Sequence, residues 1–202
     1  MSWVIAYHKA ERALREVRSI IRKRFMTFID GGYLRAIVRE NIGEYATKDY
    51  KEYYKIIDNL IQTISSNYLH SRGFELVRTY YYDAIHLPTE PEFKDQNEFF
   101  KNLQKSLESF EIKLGRLIKG KELKQKGVDV LLSIDLVTKA FLDHYDLAVL
   151  VAGDDDFVDA VKIVKDYAGK KVAGVYQKER ASERLIECFD FRYPILPGAI
   201  KK

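Results

Sequence analysis

The stretch Tyr145-Asp-Leu-Ala-Val-Leu-Val-Ala-Gly-Asp-Asp-Asp-Phe157 decides the reading of this chain. Residues 147–152 form an unbroken apolar run too short for a helix and bounded by polar residues. That is the signature of a strand buried on both faces over residues 145–152. Gly153 and three consecutive aspartates end the run, and the spacing predicts a helix from Phe157 to about Tyr167. A buried strand, an acidic loop and a helix make one βα unit of a parallel sheet.

Working outward, Phe25-Met-Thr-Phe-Ile29 is a second buried strand, stopped by Asp30-Gly31-Gly32 and followed by a short helix over 33–42. A longer helix is expected over 48–70, with Tyr50, Tyr53, Tyr54, Ile57, Leu60, Ile61 and Ile64 near one face. Phe74 to Tyr82 reads as a strand, and residues 84–91, with Pro88 and Pro91, as a loop. Helical spacing resumes over 92–110, a strand is expected over 111–118, and a Lys/Gly-rich loop runs to Gly127. A helix over 128–143, a strand from Lys171 to Tyr176 and a short helix near 181–189 complete the pattern. Strands alternating with helices define one α/β domain with a central, mostly parallel sheet, and no internal repeat or linker divides it.

Composition narrows the function classes. Fourteen tyrosines, eleven phenylalanines and only four prolines exclude a disordered chain. No run of 18 apolar residues exists, so a membrane span is not expected. The apolar residues 3–7 are too short for a secretion signal, and basic residues follow rather than precede them. Cys188 is the one cysteine, which rules out an intrachain disulfide and a cysteine-rich zinc site. A cytoplasmic protein is the expectation. The net charge of +4 is unevenly spread: residues 8–24 hold seven Lys or Arg against Glu11 and Glu16. There Ala10, Leu14, Val17 and Ile21 recur at helical spacing, so residues 1–24 are assigned to a basic amphipathic N-terminal helix, helical over 8–23.

In open α/β sheets, sites form beyond the carboxyl ends of the strands. Asp30 and Asp83 follow the first and second strands, Asp154, Asp155 and Asp156 follow the strand ending at Ala152, and Asp129 opens a helix. Carboxylates gathered at one edge repel one another unless they are protonated or share a cation, and oxygen ligands suit Mg²⁺ or Mn²⁺. Each acid also has a plainer reading: Asp30 as a turn residue, Asp83 as a loop acid, one of Asp154–Asp156 and Asp129 as helix caps. Asp135 lies roughly 120° around its helix from Asp129 and cannot share its face squarely.

Taken together, Phe28-Ile-Asp-Gly-Gly-Tyr-Leu34, Lys126-Gly-Val-Asp-Val130 with Asp135, and Val151-Ala-Gly-Asp-Asp-Asp-Phe157 resemble the NYN domain family of PIN-like, metal-dependent nucleases, and within it the LabA-like branch. The similar region runs from about Phe25 to Tyr176, and Gly169-Lys-Lys-Val172 resembles the family's approach to its last strand. The resemblance implies a three-layer PIN-like α/β/α domain over residues 25–202 and an acidic pocket that binds Mg²⁺ or Mn²⁺ and cuts RNA. Residue by residue, Asp30, Asp129, Asp154 and Asp156 match the family's metal-site acids and Asp135 its further helix acid. The chain departs from the pattern at Tyr33, where many members have asparagine, and at Asp155, where they have a small residue. Tyr33 and Asp135 are placed behind the ligand acids.

The expected reaction is endonucleolytic hydrolysis of RNA phosphodiesters by a metal-activated water, leaving a 5′-phosphate and a 3′-hydroxyl. Metal-free cleavage needs paired acid and base groups, and His8, His70, His86 and His144 show no such pairing. Lys126, Lys124 and Lys121, with Lys119, are candidates to track single-stranded RNA, and Tyr80–Tyr82 could stack on bases, although alternation in a strand buries at least one of them. A catalytically quiet RNA-binding or assembly module with a divalent-ion site is the alternative. A haloacid-dehalogenase-like phosphatase is disfavoured because Gly32 stands where that chemistry needs a second aspartate. Self-association is left open: the N-terminal apolar stripe needs either the core or a second copy to cover it.

Overall fold

The computed structural model describes Tyr7, residues 22–119 and residues 123–195, with only the backbone given for Lys119, Leu123 and Lys124. Of the helix expected over 8–23, residues 8–21 lie outside the described residues. Its last residue, Lys23, is not helical, and the boundary placed at 24/25 falls inside the first strand, β1, Lys23–Asp30.

After β1 come α1 (Gly31–Asn41), a single turn α2 (Tyr45–Lys48), α3 (Tyr50–Gln62) and β2 (Phe74–Ile85). Next are α4 (Phe93–Ser106), β3 (Phe110–Lys119), β4 (Leu123–Lys126) and α5 (Val128–Phe141). The chain ends with β5 (Leu147–Val151), α6 (Val158–Asp166), β6 (Lys171–Tyr176), α7 (Glu183–Cys188) and β7 (Phe191–Pro194). Among the described residues these strands form one sheet in the order β4-β3-β2-β1-β5-β6-β7. Every pairing is parallel except β3 with β4.

The expected helix over 48–70 is broken at Asp49, whose carboxylate accepts the N–H of Lys51 and restarts the helix as α3. Beyond Gln62 it relaxes into a π turn over Thr63–Leu69 and a 3₁₀ turn over His70–Arg72. The loop expected from residue 84 starts later, because Ala84 and Ile85 continue β2 against Gly115 and Arg116 of β3. The Lys/Gly stretch before Gly127 contains β4, and β7 also went unanticipated.

Period-2 alternation divides the core. On one face, Leu34, Ile37, Tyr53, Ile57, Phe100 and Tyr81 pack around β1 and β2 under α1, α3 and α4. On the other, Phe28, Tyr82, Leu132, Leu136, Leu150 and Val161 pack under α5 and α6. This is the three-layer α/β/α arrangement. Tyr80, Tyr81 and Tyr82 are all buried, so they offer no stacking platform for bases, contrary to the expectation. No helix among the described residues is long and apolar enough to cross a membrane.

Candidate metal and phosphodiester site

β1 and β5 run side by side, with Ile29 opposite Val151. Their carboxyl ends deliver Asp30 and the loop Gly153–Asp156 to one edge of the sheet, and α5 starts beside them. There a cleft of about 620 Å³ is lined by Asp30, Asp129, Asp154, Asp155, Tyr33, Gln125 and neighbouring residues.

Asp30 caps α1: its Oδ1 accepts the backbone N–H of Tyr33 at 3.1 Å. Asp30 is thus a helix cap rather than a turn residue, the helix starting at Gly31 instead of 33, and it is only 9% exposed. Burial first, with the negative charges of Asp129 and Asp83 adding, pushes its pKa up to about 6, against the backbone N–H groups of Tyr33 and Gly32. Gly31 follows because nothing larger fits: a Cβ there would lie 2.5 Å from the Tyr81 hydroxyl and 2.7 Å from Asp83 Oδ2.

Asp129 lies in the first turn of α5, reached through Gly127 at φ +85°, a left-handed conformation that suits glycine. Its pKa is raised by partial burial and then by Asp154 and Asp156. Asp154 Oδ1 accepts the Asp156 N–H at 3.0 Å and caps the 3₁₀ turn Asp155–Phe157. Asp154 and Asp156 are both exposed. Asp155 contributes to the cleft wall, yet its carboxylate is engaged outward: it accepts the Ser182 hydroxyl at 2.5 Å and pairs with Arg184. Gly153 allows the loop to sit against Tyr33, since a Cβ would meet the Arg180 carbonyl at 2.3 Å and the Tyr33 ring at 2.4 Å. The Tyr33 hydroxyl accepts the Gln177 N–H at 2.9 Å, so this departure from the family pattern ties α1 to the end of β6. Burial pushes the Tyr33 phenol up to about 12.

The remaining candidates are placed differently. Asp83 is not a loop acid: it lies within β2, fully buried, and pairs with Arg35. The Tyr81 hydroxyl donates to its Oδ2 at 2.9 Å, the Ala84 N–H to its Oδ1 at 2.7 Å, and Tyr53 in turn donates to Tyr81 at 2.9 Å. Asp135 is turned toward β2 and β3, where it accepts the Tyr82 hydroxyl at 2.7 Å and meets Lys113 at 2.5 Å and Lys139 at 3.4 Å. These contacts lower its pKa against its partial burial. It is not among the residues lining the cleft. Lys126 is exposed on β4, Lys121 lies outside the described residues, and of Lys124 only the backbone is described.

Gln125 and Arg180 line the cleft without having been singled out. Arg180 spends its guanidinium on Glu40. Gln125 also borders a second groove of about 600 Å³ whose walls include Arg39, Lys48, His86 and Phe99. Gln125 sits on β4, an edge strand with one apolar residue, so no local pattern marks it in the sequence.

Among the described residues, no ion pair engages Asp30, Asp129, Asp154 or Asp156. The donor set is all oxygen and anionic, the chemistry that suits Mg²⁺ or Mn²⁺. Its present geometry is open: no three acidic, histidine or cysteine side chains among the described residues are close enough to hold an ion as they stand. Asp30 is buried and caps α1, whereas Asp129, Asp154 and Asp156 are exposed, with Asp154 also capping its own 3₁₀ turn.

A structure from Vibrio parahaemolyticus RIMD 2210633, titled a protein of unknown function VPA0982, is similar in fold, with a TM-score of 0.55 and 21% identity. The match covers 87% of this chain and 94% of that one. The search of curated proteins finds no match. A sequence model of the NYN domain matches residues 24–195, which spans the whole sheet, the capped Asp30 and the acidic loop. The chain therefore belongs to the NYN domain family.

Proposed function

We propose that this chain is a metal-dependent endoribonuclease whose active site is the cleft at the carboxyl ends of β1 and β5. The observation that carries this reading is the set of uncompensated carboxylates. Asp30, Asp129 and Asp154 line one cleft, Asp156 adds its charge to Asp129, and Asp30 is buried with no cationic partner among the described residues. A chain that spends stability on such an arrangement is using the charge.

Asp30, Asp129 and Asp154 would hold Mg²⁺ or Mn²⁺, with Asp156 completing the set on the exposed side. The ion's chemistry there is to neutralise charge on the scissile phosphate and to acidify an attacking water. The chain's own part is positioning. The Tyr33 N–H holds Asp30 in one orientation, and Gly153 brings the acidic loop against Tyr33. At neutral pH Asp30, with a pKa of about 6, is mostly ionised and ready to accept a cation. In-line attack leaves a 5′-phosphate and a 3′-hydroxyl. Single-stranded RNA is the proposed substrate, with Lys126, Lys124 and Lys121 as its proposed phosphate contacts and Gln125 on the cleft wall.

The test is cleavage of a panel of single-stranded RNAs with Mn²⁺ or Mg²⁺. Wild-type chain should cut and Asp30→Asn should not, with an unchanged circular dichroism spectrum. Full activity in a homogeneous Asp30→Asn preparation would overturn the assignment. The second reading, a quiet RNA-binding or assembly module, is favoured by one observation, the open geometry of the acids. It expects RNA binding without cleavage under any divalent ion.

A further inference from the structure

The second groove, of about 600 Å³, opens beside the acid cleft, and Gln125 of β4 stands in the wall of both. Its other walls come from α1, α2, β3, the residue after β2, and α4. Two of its cations are committed to the fold: Arg35 is paired with buried Asp83, and Lys48 with Glu44 at 3.0 Å. Arg39, one turn beyond Arg35 on α1, has no ion pair among the described residues. Its Nε donates to the Thr47 hydroxyl at 3.4 Å, and that hydroxyl donates to the Glu44 carbonyl at 2.9 Å. Thr47 is buried, so the contact steadies the guanidinium at Nε and leaves its two terminal nitrogens for a ligand. A guanidinium held in this way is a two-pronged donor that matches a phosphate.

We infer that this groove holds one nucleotide of the RNA strand that is cut in the acid cleft, with Arg39 on its phosphate and Phe99 under its base. The inference rests on the reading of that cleft as an RNA site, and it adds where the strand goes on leaving it. Asp30, Asp129, Asp154 and Asp156 repel a phosphate backbone wherever no cation covers them. Arg180, on the cleft wall, is spent on Glu40. Across Gln125 the strand meets the uncommitted fork of Arg39.

The rest of the groove suits a base. Phe99 is half-buried and fixed by Tyr53 and Phe100, whose ring centroids lie 6.1 and 5.5 Å from its own. An aromatic ring on a groove wall stacks with any base. The His86 side chain is only 13% exposed, and its Nδ1 lies 3.1 Å from Glu90 Oε2, which also accepts the Leu87 N–H at 2.8 Å. A carboxylate only accepts, so Nδ1 carries the hydrogen. Nε2 is left without a partner among the described residues, ready to bond a base or a ribose. Glu92 and Asp95, at the start of α4, line the same groove as acceptors. Acceptors suit the amino edge of an unpaired base and repel a second phosphate. A phosphate fork on one wall and carboxylates on another fit a single nucleotide rather than a run of backbone.

The chain's own residues 8–21 are the rival occupant. They carry Lys9, Arg12, Arg15 and Arg18 against Glu11 and Glu16, a net positive charge and the wrong sign for an arginine fork.

The test is fluorescence anisotropy on the full chain with a short, mixed-sequence single-stranded RNA, kept uncut by EDTA and titrated over a range of KCl. Arg39→Gln should weaken binding about tenfold and make log affinity against log salt shallower by about 0.7, the value of one phosphate contact on a single strand. Its thermal melt should be unaltered, because Arg39 is exposed. Arg39→Lys should restore the slope and only part of the affinity, since an ammonium meets the phosphate without the fork. Phe99→Leu should weaken binding several-fold and leave the slope as it is. Arg78→Gln, which removes an exposed arginine of β2 that lines neither cleft, should change neither quantity. An affinity and slope unchanged in Arg39→Gln, as a groove filled by residues 8–21 requires, overturns the inference, and so does an equal loss in Arg78→Gln. RNA held through Arg39 but left whole by the wild type in Mn²⁺ supports the groove and overturns the nuclease reading alone. RNA cut in Mn²⁺ with binding indifferent to Arg39 does the reverse.

Discussion

Asp30 and Asp83 lie near the carboxyl ends of neighbouring parallel strands, where Asp30 pairs in register with Tyr82. Both are buried, and burial raises the pKa of both. Their surroundings differ in kind. Asp83 has the Arg35 guanidinium, the Tyr81 hydroxyl and the Ala84 N–H, all of which oppose the effect of burial. Asp30 has backbone N–H groups and two further negative charges. One carboxylate is compensated by the protein and holds β2 to α1. The other has no cationic partner among the described residues. The difference separates a structural acid from a candidate functional one more sharply than sequence position does.

Removing compensation should produce the largest change in stability. Asp83→Ala leaves the Arg35 charge buried alone and should cost about 3–5 kcal/mol, measured by urea denaturation. A loss below 1 kcal/mol would make Asp83 as dispensable as a loop acid.

Removing the uncompensated charge should have the opposite sign. The folded pKa of Asp30, about 6, lies above its ordinary value of 3.8, so the folded state binds the extra proton between those values. Stability in the absence of divalent ions should therefore fall as pH rises from about 4 to above 6, by up to about 3 kcal/mol. Asp30→Asn should lack that fall, melting higher than wild type at pH 8 and about equally at pH 4. A parallel pH profile in the two proteins would contradict the burial assigned to Asp30.

The smallest effect belongs to Asp155, whose carboxylate is engaged by Ser182 and Arg184. Asp155→Ser should cost about 1 kcal/mol or less, because the Arg184 pair is largely exposed. It should leave RNA cleavage within a few-fold of wild type, whereas Asp156→Ala should reduce cleavage severely. Equal losses in the two variants would remove the distinction between them.

The sequence made the parallel core and its edge readable because β1 and β5 are continuous apolar runs ended by aspartates. It also set Asp135 on a different helical face from Asp129, and the structure turns that residue toward Lys113 and Tyr82. Asp83 was misjudged because its partner Arg35 is 48 residues away, and a pairing across the sheet leaves no local pattern. β4, Leu-Lys-Gln-Lys, has one apolar residue and lies at the sheet edge, so it carries no alternation to recognise. β7, Phe-Arg-Tyr-Pro, ends on a proline and is also an edge strand, where proline is tolerated. The role of Tyr33 as a strut between α1 and the end of β6 depends on Gln177, 144 residues away.

The central claim is that Asp30 is left uncompensated for a divalent cation. Calorimetric titration of Mn²⁺ into the chain at pH 7.5 tests it without reference to any substrate. Wild type should bind, Asp155→Ser should bind about as well, and Asp30→Asn should lose most of the affinity. Saturable Mn²⁺ binding that is unchanged by Asp30→Asn, or no binding by the wild-type chain, would contradict the account.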